Sequence, residues 1–321
     1  MAQLGPFAPM LMPPLLLAVA YLMALLIPER FRPRRYLAPI AETLARKTHK
    51  PQRSPQQQRI AGTLASLIVL LPCLLATALI LNVAAYPLPF ELALLAWLMP
   101  GIALGQDSVR LAAELQAGHK EQARGLLSHW TIRDTQSLSE LGLTKAGIET
   151  QLAHSQSQLF TVLFWYCIGG IYLTLLAWLC QELARAWHRN RPQMAPYAQP
   201  VSTLATVLAW PVNGLLALTL SLYGSPFAVW RARHQLTGDW QSRSQQWPQL
   251  SLAFSLGRQL GGPWQIEGQR LLRPRLGPAS APQSQDVLRT RRLLSFASWL
   301  WLALIFLLGA ALALVWYHTI Y

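Results

Sequence analysis

The sequence predicts an all-α, polytopic integral membrane protein of about six transmembrane helices joined by helical cytoplasmic loops, forming one membrane domain over residues 1–321. Three observations predict it. Fifty-three per cent of the residues are hydrophobic and 12% are charged, against about 25% charged in soluble domains. Several uncharged runs exceed the ~20 residues that span hydrocarbon. The basic residues crowd into the connections between those runs.

The spans follow in chain order. No charge occurs in the first 28 residues, so the basic start of a secretory signal is missing and "FAPMLMPPLLLAVAYLMALLI", residues 7–27, reads as a retained span. Residues 60–105 are too long for one span, and "YPLP" at 86–89 is a turn signal, giving spans at 62–84 and 88–105. Further apolar runs predict spans at 159–179, 201–223 and 294–317. Lysine and arginine number nine in 28–59, five in 106–158, three in 180–200 and ten in 224–293. Six spans place 24 of these on one side and three on the other. Because cytoplasmic loops carry the excess, loops 28–61, 106–158 and 224–293 are expected in the cytoplasm of a bacterial inner membrane, with both ends outside.

The net charge of +14 therefore reports topology, and no nucleic-acid partner is expected. Cys73, Cys167 and Cys180 lie in or beside apolar runs without CxxC pairing, which predicts neither disulfides nor a zinc site. The first loop, with a short helical piece near 40–47, reads either as an anchor for anionic lipid headgroups or as part of a site. In the second, Val109, Ala112, Leu115, Ala123 and Leu126 fall at helical spacing. That loop also holds six of the thirteen acids.

"IETQLAHSQSQLFTVLFWYCIGG" runs polar sequence into apolar sequence without a turn signal. Ile148, Leu152, Ser155 and Leu159 share a face, so one helix is expected to carry polar first turns rigidly into the membrane. Glu149 reads as a general base or metal-binding carboxylate, or as an acid complementing the helix dipole. Arg133 and Asp134 read as an anion clamp or a surface pair. His154 could titrate near neutrality, or serve as an interfacial anchor. "LGRQLGGP" at 256–263 lacks the GK[ST] ending of a phosphate loop; Gly261 and Gly262 suit a phosphate nest or a tight turn. Glu91, just after the "YPLP" turn, is expected at the outer interface.

Taken in order, these pieces resemble the CobD/CbiB family of cobalamin-biosynthesis membrane proteins. "RIAG" at 59–62 follows a basic segment. "LQAGHKEQARGLLSHWTIRDT" resembles a helix ending in Gly-Arg-Asp-Thr, with Arg133, Asp134 and Thr135 in place and Ile132 where glycine is usual. "AGIETQLAHSQSQLFTVLFW" resembles the family's Ala-x-x-Glu-x-x-Ala-Glu-Asn segment and membrane entry. "WPQLSLAFSLGRQLGGP", with "RPRLG" downstream, resembles its late Leu-Gly-x-x-Leu-Gly-Gly-Pro element.

The resemblance implies an adenosylcobinamide-phosphate synthase-like role, a ligase joining aminopropanol, free or phosphorylated, to adenosylcobyric acid by an amide bond, with ATP and Mg²⁺ as cofactors. It assigns Asp134 and Glu149 to catalysis, and Arg133, Thr135, His154, Gly261, Gly262, Pro263 and Arg273 to substrate binding, with no metal ligand named. The sequence departs from the pattern where the family has Glu-Asn and then Asp: here stand His154, Ser155 and Gln158. Neutral side chains do not supply the lost charge. A second reading is thus a non-catalytic membrane regulator or scaffold of the same fold, as the AmpE proteins resemble this family.

Overall fold

The computed structural model describes residues 8–191 and 193–320; residue 7 of the first expected span lies outside them. The chain is almost wholly helical: α1 (Ala8–Leu26), α2 (Pro33–Thr48), α3 (Pro55–Val83), α4 (Pro87–Leu98), α5 (Ala103–Gln116), α6 (Lys120–Ser128), α7 (Glu140–Ser155), α8 (Thr161–Ala186), α9 (Ala195–Ser221), α10 (Pro226–Arg231), α11 (Trp240–Leu256) and α12 (Ser284–Ile320). Proline at the first helical position starts α2, α3, α4 and α10, where its missing N–H costs nothing. Ser54 adds a capping box with Gln57.

Among the described residues, five helical stretches are long and apolar enough by length and composition to cross a membrane, beside the shorter apolar helix Leu11–Leu26. The outer face of α3 presents Leu64, Ile68, Leu71, Leu75 and Leu79, all half-exposed or more. An apolar stripe of that length needs lipid rather than water against it, and the protein is a multi-pass membrane protein. Inside the bundle α3 lies close against α9, because Gly62 has no side chain: a Cβ there would stand 1.9 Å from the Tyr197 carbonyl oxygen.

The expected helix through residues 148–170 is not continuous. A five-residue π-helical segment, Gln156–Phe160, joins α7 to α8, and α8 itself breaks at Gly169 and Gly170, the latter at φ 61°, ψ −158°. Arg185 reaches Ser157 Oγ at 2.5 Å. In an uninterrupted helix those residues would be about 42 Å apart at 1.5 Å per residue, so the chain folds back on itself. The first limb, eight residues from Thr161 to Ile168, is about 12 Å long, less than half of a ~30 Å hydrocarbon layer. Thr174 Oγ1 donates to the Gly170 carbonyl at 2.8 Å, at the start of the second limb.

This hairpin alters one expected span. Residues 159–179 leave a face and return to it. The stretch after the hairpin joins the other polar segments: Arg34–Glu182 at 3.7 Å, Arg189–Asp239 at 2.9 Å and Arg191–Glu267 at 3.8 Å. The segments beyond both ends of α9 are therefore bridged to one another, while α9 itself, 27 unbroken residues and about 40 Å long, is long and apolar enough to cross. Ion pairs thus join the four basic stretches, and the 180–200 stretch stands with the segments it was expected to face from the opposite side. The loop pattern is revised as well. The piece near 40–47 is part of the longer α2, and the helical spacing of 109–126 is split into α5 and α6 by Gly118 at φ 77°. Leu127, not Leu126, is buried there, and Val109 is exposed. Arg32, in the first loop, is buried and donates to the Ala24, Ile27, Ala96 and Met99 carbonyls, closing the ends of α1 and α4.

Between α11 and α12, short strands pair as β1 (Leu260–Gly261) with β4 (Arg275–Leu276) and β2 (Trp264–Ile266) with β3 (Gln269–Leu271), both antiparallel. The β2–β3 turn sets Glu267 and Gly268 at φ 50° and 78°, the doubly positive geometry of a tight hairpin.

Candidate functional site

Three distant pieces of sequence meet at Glu149. Buried on α7, its carboxylate accepts from the Arg133 guanidinium and from the Gly261 N–H at 2.7 Å, with Arg273 Nη1 at 3.9 Å. Burial pushes the Glu149 carboxyl up, but Arg133, Arg273 and the two hydrogen bonds overcome it and hold the group below the ordinary carboxylate range. Arg133 and Arg273 both lie over the Trp264 ring, at 3.9 and 3.8 Å from its centroid. A carboxylate so engaged acts as a latch between α7, the 131–135 turn and the strand region.

Asp134 is not paired with Arg133. Its backbone N–H donates to the Gln265 carbonyl at 2.9 Å, and its carboxylate accepts from the N–H groups of Glu267 and Gly268 at 3.2 and 2.8 Å. It fastens the β2–β3 turn to the 131–135 turn. Thr135 is buried in a one-turn 3₁₀ segment beside it. Gly261 and Gly262 have φ 72° and 101°; Gly261 brings its backbone against the Pro274 carbonyl, which a Cβ would approach to 2.3 Å, and Pro263 is exposed between the strands. His154 is buried, with Arg34 at 3.2 Å from Nδ1 and the Trp130 carbonyl at 3.0 Å from Nε2. Burial, Arg185 and Arg34 together drive its pKa well down. It is a neutral buried residue behind the cavity rather than an interfacial anchor. Glu91 accepts from Tyr166 Oη at 2.9 Å, which ties α4 to the hairpin.

The large polar cavity lies next to this latch, at the open end of the helical hairpin. It encloses about 340 Å³ between the end of α7 and the π-helical segment, the end of α8, α9, α11 and the strand region. Arg185, Arg189 and Arg273 line it, with His188, Trp264 and six glutamines: 156, 181, 241, 245, 246 and 249. No aspartate or glutamate is among the lining residues. Of the residues expected at a site, only Arg273 reaches this wall; Glu149, Asp134, Arg133, Thr135, His154, Gly261, Gly262 and Pro263 stand behind it and shape it. His188, open to the cavity but walled off from bulk water, has its pKa pushed down to about 3 by burial and by Arg191, Arg273, Arg189 and Arg185. The cavity thus carries a positive field. Its glutamine face was written in "WQSRSQQWPQ", where 241, 245 and 249 recur every four residues on α11.

The cavity's arginines fit phosphate groups. The donors do not fit Mg²⁺, which binds through carboxylate and water oxygens. Glu149 is held by arginine and N–H groups, Asp134 by two N–H groups, Glu182 by Arg34 and Arg185, and Asp239 by Arg189 and the Ser242 N–H. Among the described residues no three His, Cys, Asp or Glu side chains gather as metal ligands.

Comparison with known proteins agrees with the motifs. The chain is 27% identical over 248 residues to a cobalamin biosynthesis protein CobD of Chromobacterium violaceum, covering 77% of this chain and 80% of that one. It is 30% identical to the CobD of Klebsiella pneumoniae, over 66% and 70% of the two chains, and 27% identical to that of Stutzerimonas stutzeri, over 61% and 71%. No solved structure matches. The family model for CobD/Cbib protein matches residues 15–294, from within α1 to the first third of α12, and the chain belongs to that family.

Proposed function

We propose that the protein acts in cobalamin biosynthesis in the manner of an adenosylcobinamide-phosphate synthase, with the polar cavity receiving the aminopropanol phosphate and the corrinoid carboxylate that become joined. The observation that carries this reading, beside family membership, is a cavity rich in arginine and glutamine and free of carboxylates. Arginines bind phosphate and carboxylate oxygens. Glutamine amides both donate and accept, which suits the peripheral carboxamides of a corrinoid. A volume of about 340 Å³ suits a side chain and a small amine, leaving the macrocycle at the mouth. A carboxylate is a poor electrophile, so ATP belongs to the proposal as the activating co-substrate; Mg²⁺ has no protein site to which a step can be assigned. The ion pairs that join the basic stretches to one another gather positive charge in one polar layer, which favours a cytoplasmic orientation of that layer in the bacterial inner membrane.

The test is conversion of adenosylcobyric acid and aminopropanol phosphate by the purified protein with ATP, read by mass spectrometry, together with rescue of a synthase-deficient strain. Amide product and rescue are expected. Absence of both overturns the synthase reading. A second reading, a non-catalytic regulator or scaffold, is favoured by the full engagement of Glu149 and Asp134 in internal contacts; it predicts a phenotype that survives without turnover.

A further inference from the structure

Apart from the polar cavity, an apolar groove of about 560 Å³ runs between α9, α10 and α11. Trp210, Leu218, Phe227 and Trp230 form its rims, each more than half exposed. Small residues make its floor, with Gly214 and Ala217 on α9 and Ser244 on α11, where Asn213 Nδ2 donates to Ser244 Oγ at 3.1 Å and ties the two helices together. The hollow depends on Gly214. A Cβ there would meet nothing within 4 Å, so no described part of the chain fills the space beside it. Along α9 the groove extends from Trp210 to Ser221, about 17 Å at 1.5 Å per residue, a length suited to an extended hydrocarbon chain. Its rim is cationic. Arg233 lies over the Trp230 ring at 4.7 Å, and the exposed Arg231 and Arg233 reach the Phe227 and Trp230 carbonyls at 3.4 Å. Among the described residues neither arginine forms an ion pair; the acids nearest in sequence, Asp239 and Glu267, are held by Arg189 and Arg191.

We propose that this groove is a site for one anionic phospholipid, whose acyl chain lies along α9 over Gly214 and whose phosphate meets Arg231 and Arg233. Exposed tryptophans beside arginines are the composition of a membrane–water boundary, where indoles sit at headgroup depth and basic side chains attract anionic lipid. The apolar stripe of α3 is different, because it carries leucines and isoleucine and no cation, so any lipid tail passes over it. The groove is concave and charged at its rim, so it holds a single molecule and selects by headgroup. Lipid tails are as apolar as the groove walls, so close packing supplies the chain's share of the affinity and the two arginines supply the selectivity. The site is separate from the proposed reaction: α11 turns Gln241, Gln245 and Gln249 to the polar cavity and Ser244, Trp247 and Ser251 to the groove.

The experiment is native mass spectrometry of the full-length protein in detergent, titrated with phosphatidylglycerol or with phosphatidylcholine of the same acyl chains. One tightly held phosphatidylglycerol per chain is expected, bound at least about fivefold better than phosphatidylcholine. Gly214→Leu puts a side chain into the hollow and raises helix propensity; it is expected to weaken phosphatidylglycerol at least tenfold, with Tm in lipid-free detergent unchanged or higher. Gly214→Ala leaves most of the hollow open and is expected to bind within twofold of wild type. Replacing Arg231 and Arg233 together by glutamine, both on the surface, is expected to abolish the preference between the two lipids without lowering Tm, and this pair decides the question by itself where Gly214→Leu fails to fold. Equal affinity of the wild type for both lipids, binding by Gly214→Leu within twofold of wild type, or a preference that survives loss of both arginines overturns the site. So does a dimer that Gly214→Leu converts to monomer, which would give the groove to a second copy of the chain.

Discussion

Replacing Glu149 by glutamine removes one charge from a site built around it. The substitution keeps the shape, and the new amide oxygen still accepts from the Gly261 N–H, now 2.7 Å from the carboxylate. What is lost is the countercharge to Arg133 and Arg273, whose side chains are only 8% and 14% exposed. Breaking a buried pair from one side typically costs about 3–5 kcal/mol, because the remaining charge stays desolvated. Two stranded guanidiniums place Glu149→Gln at the upper end. At about 2 °C per kcal/mol for a chain of this size, Tm falls by about 6–10 °C. The assay is thermal unfolding in detergent, followed by fluorescence and by size-exclusion recovery. The pH dependence gives an independent sign. The carboxyl is held below its ordinary pKa of 4.5 in the folded protein. Its stabilisation is therefore complete above that pKa and disappears as pH falls through the depressed folded value. Wild type and Glu149→Gln are expected to differ most near neutrality and to converge in acid. A variant within 1 °C of wild type at pH 7, or a gap that widens in acid, refutes the latch.

Three further substitutions test other joints of the structure. Gly62→Ala drives a methyl into the Tyr197 carbonyl and is expected to cost at least about 1–3 kcal/mol by forcing α3 from α9, seen as a lower Tm. Gly170→Ala places a side chain at φ 61°, ψ −158°, a region that L-residues avoid at about 1–3 kcal/mol; reduced stability and easier proteolysis of the hairpin are expected. Asp134→Ala strips the acceptors from the Glu267 and Gly268 N–H groups, at about 1–3 kcal/mol. Amide exchange at the β2–β3 turn should then quicken, while α7 remains protected.

The membrane class was legible because hydropathy and charge are local properties, and runs such as 62–84 need no tertiary context. Direction is not local. The two adjacent glycines at 169 and 170 stand in plain view inside an apolar run, yet a hydropathy window reads the same total whether the chain continues or turns back. Counting each apolar run as a crossing then set Arg185, Arg189 and Arg191 opposite the very segments to which they are joined. The site shows the same division. Arg133, Glu149 and Gly261 were singled out one by one, but their meeting spans 112 residues between Glu149 and Gly261. The sequence could not show that Glu149 would be consumed by that meeting. The glutamines of α11 went unread because amides carry no charge and form no catalytic motif, although their four-residue spacing put them on one face. The first loop was read as a possible lipid anchor without singling out Arg32, whose burial under four carbonyls depends on α4 returning beside α1.

The convergence of all polar segments on one face over the folded-back hairpin is tested most directly by labelling introduced cysteines from each side of the membrane. In a chain with Cys73, Cys167 and Cys180 replaced by serine, Ala195→Cys reports on the stretch after the hairpin and Gln136→Cys on the turn that holds Asp134; both positions are exposed. An impermeant maleimide should leave both unlabelled in intact cells and label both in inside-out vesicles. Labelling of the two from opposite sides would mean that residues 159–179 cross the membrane after all, and that the cavity described here does not exist.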